Sequence, residues 1–476
     1  MGKQRFYQST FSLLFLPALT FIFFSACLEQ SNNTLHYKKL PEVEHSSTIN
    51  FIGHWLNEGD REMFTRNIAR VYEFENQHIR VNLKFPEEVY YDHSDRTSNE
   101  RYVAKVVSEG ITDWDIIRVN HEFREVQTLL GDEDWAKNNL LDFSQLDEFR
   151  ESTIPELLSN ESLNEWNGII PGPFIEGQYW ALWTNQSVAE KIGIEVKQFG
   201  MTFDDFAGYL KALHEYKLKN PEDDIIPIYE SHVWETTMAI AIMLYASELN
   251  DPEEFLLGEI TPRRLEAWQK TLEAMEQIAA YQPLHPSWRK TAWNETHDMM
   301  LNGKCLFYVN GSWMYNIWKG IDDEKIWDII PCEFPAFNHP HTIYPAAYQI
   351  PWAIPKNAPN REEAEKFLLS MNTPAIAEMW SRYTKCPTGI KGNLASAALG
   401  GDQFEEFAHY VQNQFGNSRI RYHESATWIL NDQHTETNIY YKEVIQGDMT
   451  AQEAMDKIYQ RISPCMGFNP SSSSSK

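Results

Sequence analysis

The chain has 476 residues, a formal net charge of −27 at pH 7 and 16 tryptophans. An acidic balance of that size excludes two partners that demand clustered Lys and Arg: nucleic acid, whose phosphates must be neutralised, and an anionic bilayer on which the chain would lie flat. The length exceeds the roughly 100 to 200 residues usual for one domain, so two lobes, each with its own core, are expected.

In chain order, Lys3 and Arg5 precede an apolar run from Phe11 to Phe24 that ends at Ser25-Ala26-Cys27. This is the layout of a secretory signal peptide. The run, about 14 residues, is too short to span a hydrocarbon core of roughly 30 Å as a helix. Small residues followed by a cysteine resemble the bacterial lipobox, with Phe24 standing where that pattern usually has a small or branched aliphatic residue. The resemblance implies that Cys27 is acylated as a membrane anchor; an ordinary cleaved signal is the alternative. Residues 28–47 are polar and aperiodic and read as a linker.

The first lobe opens with a strand from Ile49 to Trp55 and a turn at Asn57-Glu58-Gly59-Asp60. A helix follows whose apolar face is expected at Phe64, Ile68, Val71 and Phe74. Ile79 to Phe85 alternates as a strand, Arg101 to Glu109 reads as a helix, and Trp114 to Val119 as a further strand. This succession implies parallel pairing with right-handed crossovers. Ligands of such sheets bind beyond the carboxyl ends of the strands, which draws attention to His54, Trp55, Asn120 and His121. Packing against the following helix accounts equally well for Trp55.

The Gly- and Pro-rich segment Ile170 to Phe174 leads into Gly177 to Asn185, which fits an extended crossing between lobes. Beyond it, Thr202 caps a helix with Asp204 and Asp205 in its first turn. Helices also fit Arg263 to Ala280 and Arg361 to Met371. Gly303 ends a helix and starts the strand Cys305 to Val309, which breaks at Asn310-Gly311-Ser312-Trp313. Ser312 is placed to cap the next helix, with Trp313 projecting from its first turn. A capping box, Thr450 to Glu453, opens a final helix, and residues 469–476 form a serine-rich tail.

The catalytic and metal signatures sought are missing: no GxSxG, HExxH, GxxxxGK[ST] or EF-hand pattern occurs. Cys305, Cys332, Cys386 and Cys465 form no CxxC pair, and their disulfide pairing stays open. His339 and His341 flank Pro340 and read as polar loop surface, so no metal and no cofactor are expected. A glycosidase needs only two facing carboxylates. The adjacent pairs Asp113 with Asp115 and Asp204 with Asp205 already have structural explanations, at a strand and at a helix start. What stands out instead is aromatic and amide chemistry at predicted loop ends: His54, Trp55, Asn120, Trp234, Trp313, Tyr348 and Gln349. Flat apolar rings with fixed hydrogen-bond partners suit a sugar.

Four stretches resemble the extracellular solute-binding proteins of carbohydrate ABC importers, the group that includes maltose-binding protein. They are Ile49 to Phe85, Asn185 to Gly193, Leu301 through Trp313 with its NGK and NGSW motifs, and Tyr348 to Lys366; the helix from Thr450 to Tyr459 also fits. Ala346-Ala347-Tyr348 departs from the glycines common there. The resemblance implies an α/β, two-lobe periplasmic-binding-protein-like fold of type II. Its discontinuous lobes would comprise residues 47–176 plus 351–385 and residues 180–347 plus 387–468, joined by hinge strands. It further implies that Trp313 stacks on a sugar ring and that the residues after the first and third strands hydrogen-bond it, with Trp428 as a further stacking residue. The function expected is capture of a carbohydrate by a monomeric, non-enzymatic receptor. Separate permease and ATPase chains would complete the importer, and the lipid anchor would be the only membrane contact. A secreted glycan-processing enzyme and the same fold with a non-sugar ligand are the alternatives.

Overall fold

The computed structural model describes residues 45–90, 101–102, 105–106, 113–119, 130–158, 166–232, 236–256, 260–290, 295–391, 401–415, 419–420 and 440–466. Cys27, Asn120, His121, Trp234, Trp428 and most of the helix expected over Arg101 to Glu109 lie outside these. Among the described residues no helix is long and apolar enough to cross a membrane.

Strand β1 (Ser47–Ile52) pairs in parallel with β2 (Ile79–Lys84), Ser47 opposite Ile79 and Ile52 opposite Lys84. Helix α1 (Gly59–Glu75) makes the crossover. Its buried face is Phe64, Ile68 and Tyr72, an i, i+4, i+8 row. Val71 and Phe74, expected on that face, are 55% and 79% exposed, because the amphipathic Tyr72 takes the inward position one residue along. The third strand is short: β3 (Ile117–Arg118) pairs antiparallel with β9 (Trp352–Ala353), and Phe51 bridges Ile116.

Strand β4 (Glu176–Asn185) is the longest described. It pairs with β8 (Tyr344–Gln349) through Glu176 to Tyr179, with β6 (Cys305–Gly311) through Trp180 to Thr184, and with β7 (Ile329–Cys332) through Leu182 to Asn185. Between β4 and β6 lie α2 (Phe203–Lys219), β5 (Ile226–Tyr229), α3 (Met238–Leu249) and α4 (Pro262–Ala279). β5 runs parallel to β6. α5 (Met314–Ile321) follows β6 directly. After β9 come α6 (Arg361–Met371), α7 (Pro374–Thr384), α8 (Gln403–Phe415), β10 (Arg419–Ile420) beside β8, and α9 (Ala451–Met466).

Two hydrophobic cores result. One gathers β1, β2, β3, β9 and α1 with α6 and α7, from Ile49 to Ile175 and again from Ile350 to Ile390. The other gathers β4 to β8 with α2 to α5, α8 and α9, from Tyr179 to Ala346 and again from Phe404 to Ile462.

The local signals hold where a short segment decides the conformation. Thr202 and Asp205 form a capping box at α2, and Thr450 and Glu453 exchange the same pair of bonds before α9. Ser312 does not cap α5. Its N–H donates to Tyr179 O at 2.7 Å and its hydroxyl accepts from Tyr179 N–H at 3.3 Å, so β4 takes it as an extension of the ladder. Cys305, Cys332 and Cys386 are free, buried thiols.

Backbone crossings are tight just before and at the start of β4. A Cβ on Gly172 would lie 2.0 Å from Trp352 O, and one on Gly177 would lie 2.3 Å from Pro387 O. Gly208, inside α2, has nothing within 4 Å of its would-be Cβ. Gly177→Ala is therefore expected to cost about 1–3 kcal/mol through forced backbone displacement, while Gly208→Ala stabilises by about 0.5–1 kcal/mol. Urea unfolding of the two variants checks this, and equal effects would show that the junction yields freely.

Candidate functional site

The site is built where strand ends from the two cores face one another. After β1 the chain turns through three left-handed residues, Trp55 (φ 70°), Asn57 (φ 62°) and Gly59 (φ 47°). A bulky residue in that region is an outlier that persists only where its surroundings hold it. Here Trp352 and Trp380 hold it, with ring centroids 5.2 and 5.0 Å from that of Trp55. His54 lies on the adjoining edge, half-buried, 4.7 Å from the same indole. At Gly59 a Cβ would meet Asn316 O at 2.8 Å, so the start of α1 lies directly against α5 of the other core.

Arg61, one turn into α1, organises this junction. Its guanidinium donates to Glu176 Oε1 at 2.8 Å, and the two side chains are 1% and 4% exposed. It also donates to Cys386 Sγ at 3.2 Å and packs its charge over Trp55 and Trp380, 5.7 and 5.6 Å from their ring centroids. Cys386 in turn donates to Ser312 Oγ at 3.3 Å. Burial raises the Glu176 carboxyl above its ordinary range, and the Arg61 charge opposes that shift. Glu58, 3.5 Å from Arg61, is pushed up to about 7, chiefly by burial, with Arg61 opposing and Glu176 adding to it. Asp60 and Lys319 form an ion pair from α1 to α5, and Asn316 Nδ2 donates to Thr384 O at 3.0 Å.

On the second-core side β6 ends at Gly311, next to Ser312, which bonds both Tyr179 and Cys386, and β5 runs parallel beside it. Trp313 leaves β6 just past its end and is half-buried. Its ring stands edge-on to Trp180 at 5.6 Å and lies over Gly311, where a Cβ would come within 2.2 Å of the indole. Only glycine leaves room for that ring. Beyond β5, buried Glu230 accepts from the N–H groups of Ser231, Thr236 and Thr237 at 3.0, 3.0 and 2.9 Å and from the Thr237 hydroxyl. Burial raises its carboxyl, opposed by the Thr237 hydrogen bond and by Lys442, itself lowered to about 8 by burial. Tyr348 and Gln349, both half-buried, end β8 opposite Gly177 and Glu176.

Of the expected site residues, His54, Trp55, Trp313, Tyr348 and Gln349 are thus described. Trp55 is 3% exposed and belongs to the first core, as the packing account of it held. His341, read as loop surface, is 3% exposed, because the chain between β7 and β8 folds back onto Phe334 and Tyr344. Sequence reasoning missed Arg61, Glu176, Glu58, the Asp60 and Lys319 pair, and Glu230. The only advance signal for Glu230 was its place directly after a β-rich run, six and seven residues ahead of the threonines that donate to it.

The sequence profile of bacterial extracellular solute-binding proteins matches residues 110–432. No curated protein matches significantly. Solved structures with the same fold include the solute-binding protein RafE in complex with raffinose, 16% identical, covering 88% of this chain and 99% of its own, at a TM-score of 0.59. The apo-form of RafE from Streptococcus pneumoniae is 15% identical, covering 88% and 97%, at 0.60. The GacH receptor of Streptomyces glaucescens, known unliganded and with acarbose, is 13% identical, covering 89% and 99%, at 0.58. These likenesses establish the architecture as that of the two-lobe, type II periplasmic solute-binding proteins.

Two outcomes follow from the junction. Arg61→Leu strands Glu176 without its cation in a buried place and is expected to cost about 3–5 kcal/mol in denaturant unfolding. The double variant Arg61→Leu with Glu176→Leu should recover most of that loss; if it does not, the pair is not what holds α1. A carboxyl held above its unfolded pKa binds more protons when folded. The stability owed to neutral Glu58 is therefore full below about 4.5 and lost as the pH rises through about 7. Relative to Glu58→Gln, the parent chain should weaken across that window, and parallel stability curves would show that Glu58 titrates normally.

Proposed function

The chain belongs to the bacterial extracellular solute-binding protein family, and on that premise we propose that its solute is a carbohydrate, captured between two lobes and released unchanged to an ABC importer. The observation that carries this reading is Trp313, a half-exposed indole braced edge-on by Trp180 at the end of β6. A rigid, partly exposed indole at a strand end is a platform for the apolar C–H face of a sugar. The ligands of similar folds, raffinose and acarbose, support the choice of chemistry.

In this proposal the first lobe is residues 47–176 with 351–385 and the second 180–347 with 387–468. Trp313 stacks on the sugar, while His54, Tyr348 and Gln349 hydrogen-bond it from the junction, and Asn120, His121, Trp234 and Trp428 complete the site. Trp55 forms the wall behind His54. The sugar touches both lobes only when they close, so it favours the closed form by its differential affinity, and permease and ATPase chains read that form. The chain works as a monomer held to the membrane through acylated Cys27, and it performs no chemistry on the sugar.

The test is a panel of oligosaccharides, α-galactosides and α-glucosides included. At 100 times the dissociation constant a bound sugar adds about 2.7 kcal/mol of apparent stability, read as a raised melting temperature. Tryptophan fluorescence should change with it, and no new reducing ends should form. Trp313→Ala is expected to lose the shift and keep a cooperative unfolding transition. New reducing ends would replace the receptor by a glycan-processing enzyme, and unchanged binding in Trp313→Ala would move the site elsewhere.

A further inference from the structure

A second cluster lies away from the junction, in the excursion the chain makes between β7 and β8. Both strands pair with β4, so the intervening residues 333–343 must leave the sheet and return to it. Glu333, His339 and His341 come together there. One carboxylate oxygen and one ring nitrogen from each histidine all lie within 4.8 Å of one another.

The surrounding hydrogen bonds prepare these groups as ligands. His339 Nε2 lies 2.6 Å from Met201 O, and His341 Nε2 lies 2.9 Å from Phe334 O. A carbonyl can only accept, so each Nε2 carries the proton and each Nδ1 presents a lone pair. His341 Nδ1 is buried and has no hydrogen-bond partner among the described residues, which in a folded interior calls for an explanation. Glu333, 0% exposed, is oriented from both sides: Gly200 N–H donates to Oε2 at 2.7 Å and the Tyr410 hydroxyl to Oε1 at 2.6 Å. Metal-binding histidines typically give their other N–H to a carbonyl, and metal-binding carboxylates are themselves hydrogen-bonded.

We propose that Glu333, His339 and His341 bind a divalent transition-metal cation of the zinc class. Two imidazoles and one carboxylate suit Zn²⁺ and disfavour Mg²⁺ and Ca²⁺, which take oxygen ligands. Bonds of about 2.0–2.1 Å in tetrahedral array place ligand atoms about 3.3 Å apart. The cluster must therefore contract, and His339, exposed at the rim, supplies the movement. His339 also leaves a solvent side on which water completes the coordination. Bound there, the cation ties the excursion to the residues before α2 and, through Tyr410, to α8.

The test uses the untagged full chain, freed of metal with a chelator and dialysed against ZnCl2, with MgCl2 as the comparison. One Zn²⁺ per chain is expected by atomic absorption. The melting temperature should rise by about 3 °C at 100-fold excess over the dissociation constant, with no response to Mg²⁺. Co²⁺ in place of Zn²⁺ should give visible absorption bands typical of four-coordinate nitrogen and oxygen ligation. His341→Ala should abolish these responses, and His339→Ala, at an exposed position that leaves folding intact, should weaken binding at least tenfold. Glu333→Gln keeps the shape and should weaken it as well. Absence of stoichiometric Zn²⁺, or equal binding in His339→Ala, overturns the proposal. Neither result bears on sugar capture, which Trp313→Ala tests separately.

Discussion

The arrangement depends on a single buried ion pair at the point where β4 leaves one core and enters the other. Arg61 arrives from α1 and Glu176 from the first residue of β4, and neither is reached by solvent. Taking both charges out of water is costly, and their mutual attraction offsets that cost only when geometry is good and the remaining hydrogen-bonding capacity is met. Here Cys386 takes another guanidinium N–H and Trp55 and Trp380 flank the cation, while Nε is buried with no hydrogen-bond partner among the described residues. Because a displaced partner would leave a bare charge in the interior, the pair specifies where α1 sits on β4. The strained turn of residues 55–59 is a consequence: it delivers Arg61 to that place and is held by the same tryptophans.

Glycines make the rest of the junction possible. With Gly177 against Pro387 O and Gly172 against Trp352 O, separate stretches of backbone pass at distances no side chain tolerates. The backbone entering β4 is thereby close-packed on the chain around Trp352 and Pro387. The buried carboxylates serve the same end. Glu176 is engaged by Arg61, and Glu230 gathers Ser231, Thr236 and Thr237 beyond β5. A carboxylate so occupied positions a loop, which explains how a strongly acidic chain buries several acids without losing its fold.

What could be read in advance was what a few consecutive residues decide. Thr202 with Asp205, Thr450 with Glu453, and Gly303 at its left-handed φ of 63° each act within one turn. That a strand ends shortly before Trp313 was legible for the same reason, but the break expected at Asn310-Gly311 comes later, because both residues still pair with β4 through Ala181 and Trp180. Errors arose where a distant partner outbid a local one. Ser312 was drawn into β4 by Tyr179, 133 positions earlier, and α1 turned Tyr72 inward in place of Val71 because the neighbouring α6 offers Phe367 as a packing surface. Arg61 and Glu176 are separated by 115 positions, and Glu333 meets Gly200 across 133 and Tyr410 across 77. No short motif announces such meetings. His341 looked like surface because the residues just before it are polar, whereas in space it also packs on Phe334 and Tyr344, which bury it.

The two proposed sites would differ in how a hinge motion reaches them. The sugar site as proposed draws residues from both cores, so its affinity must depend on their relative orientation. The metal cluster draws everything from one core: Glu333, His339 and His341 as ligands, and Met201, Phe334, Gly200 and Tyr410 as their supports, all on the β4 to β8 side. A rigid-body rotation leaves distances within one body unchanged. A cation there has no differential affinity for open and closed forms, and without it there is no coupling free energy between the sites. On the two proposals taken together, the cation would act on the stability of the second core, and closure would answer to the sugar alone.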